Sequence, residues 1–182
     1  MGVLLLASKS DTASMTLFDA IMRLKGWSEV FTRTYGDYYI HECGSVYLLL
    51  IEQIHIRADG IDSIFKKNTG FSIDDVLILS RHVSRSNTPA MTLHAIGIPG
   101  VLPYGEQGNS GGENGLLVPP SKYFASLFRR MNLLAREKKL NLDFDLTLET
   151  THHGPILTTP TLYIEIGSTE NEWSREDVAD CW

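Results

Sequence analysis

The feature that most limits the folds open to this chain is the alternation of short apolar runs with longer segments of helical spacing. Val3–Ala7, Val46–Ile51 and Val76–Ser80 are rich in Val, Leu and Ile and lack the apolar–polar alternation of a strand with one wet face. Runs of this kind suit strands covered on both faces, as in parallel sheets flanked by helices. Met91–Ile98 reads as a fourth. Two later segments alternate instead. In Asp143–Thr150, Phe144, Leu146 and Leu148 share one face, with Thr147 and Glu149 on the other. In Thr161–Ile166, Leu162, Ile164 and Ile166 oppose Tyr163 and Glu165.

Helical patterns fall between these runs. Asp11–Lys25 begins in hydroxyl-rich sequence suited to capping, carries Leu17, Phe18, Ile21 and Leu24 as a stripe, and ends at Gly26. A shorter helix over Asp59–Lys67 would bury Ile61, Ile64 and Phe65. In Ser121–Lys139, Phe124, Leu127, Phe128, Met131, Leu134 and Ala135 recur at helical spacing, with Ser121 as the cap after Pro119–Pro120. Ser174–Trp182 opens as a last helix capped by Ser174. The alternation predicts one α/β domain over residues 1–182, with a mixed, largely parallel sheet flanked by helices. A chain of 182 residues can bury a sizeable core in one such domain.

Composition narrows the setting. Hydrophobic residues at 43% and charged residues at 21% fit a soluble globular protein. Cys43 and Cys181 form neither a metal-type spacing nor a disulfide framework, so a reducing compartment is the simpler reading. The opening MGVLLLASKS is too short for a signal peptide or a membrane span. A cytoplasmic monomer without a membrane partner is the expectation. The net charge of −6 argues against a nucleic-acid partner only as a total, because binding depends on where basic groups lie. Lys122, Arg129 and Arg136 recur at seven-residue intervals and so lie near one line of their helix. That line is either a solvated face or a phosphate-contacting stripe.

Chemistry concentrates at two strand ends, where α/β sheets tend to bind ligands. Of the six histidines, four fall in these clusters. One is Ser80-Arg81-His82-Val83-Ser84-Arg85, followed by His94; the other is Glu149-Thr150-Thr151-His152-His153-Gly154-Pro155. Imidazoles serve as bases near neutral pH or bind zinc through one ring nitrogen. His152 and His153 are adjacent and can serve one site only if the backbone turns, which Gly154-Pro155 allows. His82, His152 and His153 are therefore candidates as catalytic groups or as metal ligands, with His94 and Glu165 as further ligands or orienting groups. Arg81 and Arg85 suit phosphate recognition or structural ion pairs. His41 and His55 read as surface or packing residues. Cys43 reads as a packing residue with no recognisable base. Gly100–Gly115 is a Gly-rich loop without a P-loop pattern, either a surface loop or a lid.

The segments LILSRHVSRSNTPAMTLHAIG, LTLETTHHGP and PTLYIEIGSTENEW, with the opening LLLASKSDTAS, closely resemble those of the archaeal and plant D-aminoacyl-tRNA deacylases. The resemblance runs from residue 3 to about residue 179 and is closer to the plant branch. It implies a fold related to nucleoside phosphorylases and peptidyl-tRNA hydrolases. It also implies hydrolysis of the ester of D-aminoacyl-tRNA, including aldehyde-modified forms, as proofreading or detoxification, with Zn2+ as cofactor and D-aminoacyl-tRNA as partner. The tRNA end would meet Arg81, Arg85, Lys122, Arg129 and Arg136. Family members normally continue into a Gly-Gly-x-His-Tyr-Ala-Pro type motif, so a C-terminally shortened domain is expected. Alternatives are a non-catalytic tRNA-binding or regulatory product, and a nucleoside phosphorylase-like or other metal hydrolase.

Overall fold

The structure, a computed structural model, describes residues 2–100 and 111–182. In chain order its strands are β1 (Val3–Ser8), β2 (Phe31–Arg33), β3 (Gly36–Ile40), β4 (Val46–Ile51), β5 (Asp75–His82), β6 (Ala90–His94), β7 (Asp145–Leu148) and β8 (Thr161–Gly167). Its helices are α1 (Thr12–Met22), α2 (Ile61–Thr69), α3 (Phe124–Glu137), α4 (Glu170–Trp173) and α5 (Glu176–Ala179). The strands form one sheet in the order β2-β3-β4-β1-β5-β8-β6-β7.

The apolar runs occupy the middle of that sheet. β4, β1, β5 and β8 are mutually parallel, with Leu5 opposite Leu48 on one side and Leu77 on the other. Neighbouring residues along each run face opposite sides, and both sides are covered. Leu77, Leu79, Leu162, Ile164 and Ile166 meet Leu17 and Phe18 of α1, Met131 and Ala135 of α3, and Val178 of α5. On the other side Leu4, Leu6, Val76, Ile78 and Tyr163 meet Ile61 and Phe65 of α2. Each fully buried aliphatic side chain contributes roughly 1.5–3 kcal/mol over an exposed one. This double burial is why the runs carry no polar alternation.

The margins are where sequence pattern and fold part. The β2–β3 hairpin, absent from the sequence reading, adds antiparallel to β4; β2 is exposed throughout, so it shows no apolar pattern. At the other margin β6 runs antiparallel to β8, and among the described residues β7 pairs only with β6. Phe144 is buried but Leu148 is 51% exposed, so the expected apolar face of this segment fades towards the sheet edge. The first helix stops at Met22, before Leu24, which is exposed. Its cap is Asp11, whose Oδ1 accepts from Ser14 N at 2.9 Å. Ser121 does not cap α3, which begins at Phe124; its Oγ donates to buried Asp75 at 2.7 Å. The final helix is entered at Arg175 rather than Ser174, after α4, which a Thr169–Glu172 capping box opens. The lid expectation for Gly100–Gly115 falls largely on residues 101–110, outside the described residues. No helix among the described residues is long and apolar enough to cross a membrane.

Candidate active site

Strand alternation puts a set of polar residues on the α2 face of the sheet. Ser80 pairs with Glu165 across β5 and β8, and His94 pairs with Tyr163 across β6 and β8. His82, two residues beyond Ser80, projects to the same face. The segment after β7 then crosses this face. Ile96 bridges His152, and Gly97 N donates to His153 O at 2.8 Å. His153 takes φ 43°, a left-handed backbone that brings it round beside its neighbour. The two adjacent imidazoles therefore converge, with ring centroids 4.5 Å apart. Gly154 permits the close approach this needs, since a Cβ there would sit 2.5 Å from Gly112 N.

Two donor groups result. In the first, the rings of His94 and His152 stack at 4.1 Å, and His153 stands edge-on to His94 at 4.8 Å. Each Nδ1 meets a backbone carbonyl: His94 with Ala95 O at 2.9 Å, His152 with Thr150 O at 2.8 Å, His153 with Gly154 O at 2.6 Å. A carbonyl only accepts, so each Nδ1 carries hydrogen; in the neutral ring Nε2 is then left with its lone pair. One ring nitrogen from each histidine lies within 4.8 Å of the other two. In the second group His82 Nδ1 donates to Glu149 Oε1 at 2.8 Å and lies 3.5 Å from Glu165 Oε2. The carboxylates link the groups. Glu149 Oε2 is 3.7 Å from His152 Nε2, and Glu165 Oε1 is 3.5 Å from His94 Nε2.

Burial and these charges set the protonation. Burial lowers His153 to about 3, with His94 and His152 adding to the shift, so this ring is neutral. Burial and His94 also lower His152. Burial opposes charge on His82, yet Glu149 and Glu165 together raise it to about 9. Glu165 is 4% exposed; burial works against its charge, but His94 and His82 hold it well below the usual carboxylate range. The same Glu165 raises His94 against burial. His94 Nε2 nevertheless has no hydrogen-bond partner among the described residues. An unpartnered nitrogen, fully buried among two further imidazole nitrogens and a carboxylate, fits a divalent cation of the zinc type. His94, His152 and His153 could hold one such ion, and His82, Glu149 and Glu165 a second.

A cleft of about 340 Å³ opens onto this constellation between Ile54, Ile56, Arg81 and Val83. The structure thus brings together His82, His94, His152, His153 and Glu165, with Glu149 as a full member. Arg81 stands at the rim with its guanidinium 5.2 Å over the Trp173 ring and its Nε 3.8 Å from Asp11 Oδ2. Arg85 is exposed and does not line the cleft. Lys122, Arg129 and Arg136 sit on or beside α3, which packs on the opposite face of the sheet, so they do not meet the histidines. Lys122 pairs with buried Asp75 at 2.9 Å. His55, expected as an ordinary surface or packing residue, is buried in the cleft wall and bridges Asp11 and Tyr163. Cys43 is exposed rather than packed. Its thiol is lowered to about 7, by Ser45 first and then by His41, the base that its own sequence neighbourhood contains.

The structure thus places a largely buried histidine–carboxylate constellation at strand ends of a mostly parallel sheet in an α/β fold. The chain belongs to the D-aminoacyl-tRNA deacylase family, whose family model matches residues 69–182. The D-aminoacyl-tRNA deacylase of Arabidopsis thaliana is 35% identical, over 98% of this chain and 56% of the relative. That of Methanosarcina mazei is 30% identical, over 98% and 59%. The chain therefore spans a little more than half the length of these relatives. Among solved structures, a conserved protein of unknown function, AF0625, superposes with a TM-score of 0.84 at 27% identity, covering 99% of this chain and 60% of the other. A putative methylthioadenosine nucleosidase from Weissella paramesenteroides, at 9% identity and TM-score 0.53, covers 100% and 97% and shares the fold.

Proposed function

We propose that this centre hydrolyses the ester of D-aminoacyl-tRNA, releasing free D-amino acid and tRNA, with zinc as cofactor. The observation that carries the reading is the convergence of three Nδ1-anchored imidazoles beside the His82–Glu149 pair. Family membership supplies the substrate class, because the matched relatives are D-aminoacyl-tRNA deacylases. Zinc would be held by His94, His152 and His153, with Glu165 beside them. When bound, it would polarise the ester carbonyl and make water more acidic, towards a pKa of about 7. The protein's own groups do the rest. Glu149 orients His82 through Nδ1, so the pair can pass a proton at the cleft. Arg81, fixed by Asp11 and Trp173, offers its guanidinium to the phosphate of the tRNA end. The walls of the cleft discriminate enantiomers by shape, and a thousandfold preference needs only about 4 kcal/mol. The activity fits a cytoplasmic proofreading or detoxifying role that also takes aldehyde-modified D-aminoacyl-tRNA.

The test is release of tyrosine from D- and L-tyrosyl-tRNA by this chain, with zinc content measured on the same sample. The expected result is faster release from the D-ester and at least one zinc per chain. Binding of tRNA with no release from either ester would refute the reading in favour of a non-catalytic tRNA-binding product.

A further inference from the structure

We propose that Asp11, His55 and Tyr163 form a buried relay of positioning residues that aims His153 and His94 at the metal, an inference that rests on the zinc reading above. The relay ends on the group that orients a ligand. Gly154 O accepts from His153 Nδ1 at 2.6 Å and from Tyr163 Oη at 3.2 Å. A carbonyl has two lone pairs, so both donors fit, and together they fix the direction of the acceptor that sets the His153 ring. The Tyr163 ring also stacks on His94 at 4.9 Å and 15°, and stands edge-on to His153 at 4.8 Å. One tyrosine therefore packs against two of the three imidazoles.

The relay is itself held at its far end. Tyr163 Oη lies 3.1 Å from His55 Nδ1, and His55 Nε2 lies 3.2 Å from Asp11 Oδ2. The one hydroxyl hydrogen of Tyr163 goes to Gly154 O and the Asp11 carboxylate only accepts, so both ring nitrogens of His55 donate, Nδ1 to Tyr163 Oη and Nε2 to Asp11, and the charge this gives the ring is paired with the carboxylate. Asp11 is pinned by Ser14 N on Oδ1 and by Arg81 N, at 3.2 Å, on Oδ2. The path thus runs from the first turn of α1 and the end of β5 to the turn that carries His152 and His153. Asp11 and His55 are each 1% exposed and Tyr163 is fully buried. Burying three polar side chains is unfavourable unless each is bonded, and apolar residues would fill the same volume without that cost. What apolar residues cannot supply is a directed hydrogen bond on Gly154 O. Outer hydrogen-bonding partners of this kind typically change metal affinity 10–100-fold when removed.

The experiment compares zinc affinity, by competition with a chromophoric chelator, with the melting temperature of the metal-free chain. Tyr163→Phe keeps the ring and removes the hydroxyl. Tyr47→Phe deletes an equivalent bond away from the histidines, Tyr47 Oη to Gly44 O at 3.2 Å, and serves as the control. Tyr163→Phe should weaken zinc binding on the order of 10–100-fold, with a loss of melting temperature no larger than the control's. Tyr47→Phe should bind zinc as the wild type does. If Tyr163→Phe fails to fold, Asp11→Asn, which keeps the capping oxygen of α1, should weaken zinc binding several-fold. Wild-type zinc affinity in the folded variants would overturn the relay while leaving the metal centre intact. A wild-type chain that takes up no zinc would refute the metal reading itself, and the relay with it.

Discussion

Asp62 shows how a single buried carboxylate holds the histidine turn in place. It has no exposed surface, yet its Oδ2 accepts from Thr158 N at 3.1 Å, Thr158 Oγ1 at 2.8 Å, Thr159 N at 2.9 Å and Thr159 Oγ1 at 2.6 Å. These bonds tie the segment after His153-Gly154-Pro155 to the first turn of α2. Burial alone would raise the Asp62 pKa, but the hydrogen bonds from Thr159 and Thr158 outweigh it and the net shift is downward. A carboxyl whose folded pKa lies below its unfolded one stabilises the fold above the unfolded value, and that contribution is lost as pH falls through the folded value. Asp62→Asn should therefore destabilise the chain by about 2 kcal/mol at neutral pH. The gap to wild type should narrow below roughly pH 4, the ordinary aspartate range. Denaturant unfolding at pH 7 and at acid pH measures both. A gap that stays constant across that range would mean that the charge of Asp62 plays no part. Residues of this kind are not legible in sequence. His82, His94, His152 and His153 stood out because they crowd strand ends, and Glu165 because it is a charge within an apolar strand. Asp11, His55 and Tyr163 did not, since their bonds span 44 and 108 residues.

At the scale of elements, legibility follows burial. β1, β4, β5 and β8 are covered on both faces, so their sequences record the sheet as unbroken apolar runs. β2 is exposed along its length and is held by backbone pairing to β3, which leaves no side-chain pattern to read. α3 was legible as a helix from its apolar stripe, but its place across the sheet from the histidines depends on the path of the whole chain. That placement bears on RNA binding. Lys122 is engaged by Asp75, so the stripe offers Arg129 and Arg136, both exposed on the outer face. If tRNA reaches round to α3, reversing both arginines to glutamate should weaken binding and flatten its dependence on salt. The slope of log affinity against log salt should fall by about one to two, as two phosphate contacts release their counterions. Binding measured at several salt concentrations decides it, and an unchanged slope would return α3 to an ordinary solvated face.

For the molecule as a whole, the centre ties together segments far apart in the chain. Its donors come from the ends of β5 and β6, from the turn after β7, and from the middle of β8. A metal joining them binds the folded chain and not the unfolded one, so it must stabilise the fold by mass action. At a free zinc concentration 100 times the dissociation constant, that amounts to about 2.7 kcal/mol. For a chain of this size, 1 kcal/mol moves the melting temperature by about 2–4 °C, so zinc should raise it by roughly 5–10 °C over chelator-treated protein. The shift should also be specific. Imidazole-rich sites favour zinc over magnesium, which prefers an all-oxygen shell, so magnesium at the same concentration should leave the melting temperature unchanged. His153→Ala removes one of the three imidazole donors and should abolish most of the zinc-dependent rise while the metal-free protein still melts cooperatively. Thermal unfolding of both proteins with zinc, with magnesium and with chelator makes the comparison. An equal rise with either metal, or a zinc-dependent rise that survives in His153→Ala, would place the stabilising cation elsewhere on the molecule and remove zinc from the histidine turn.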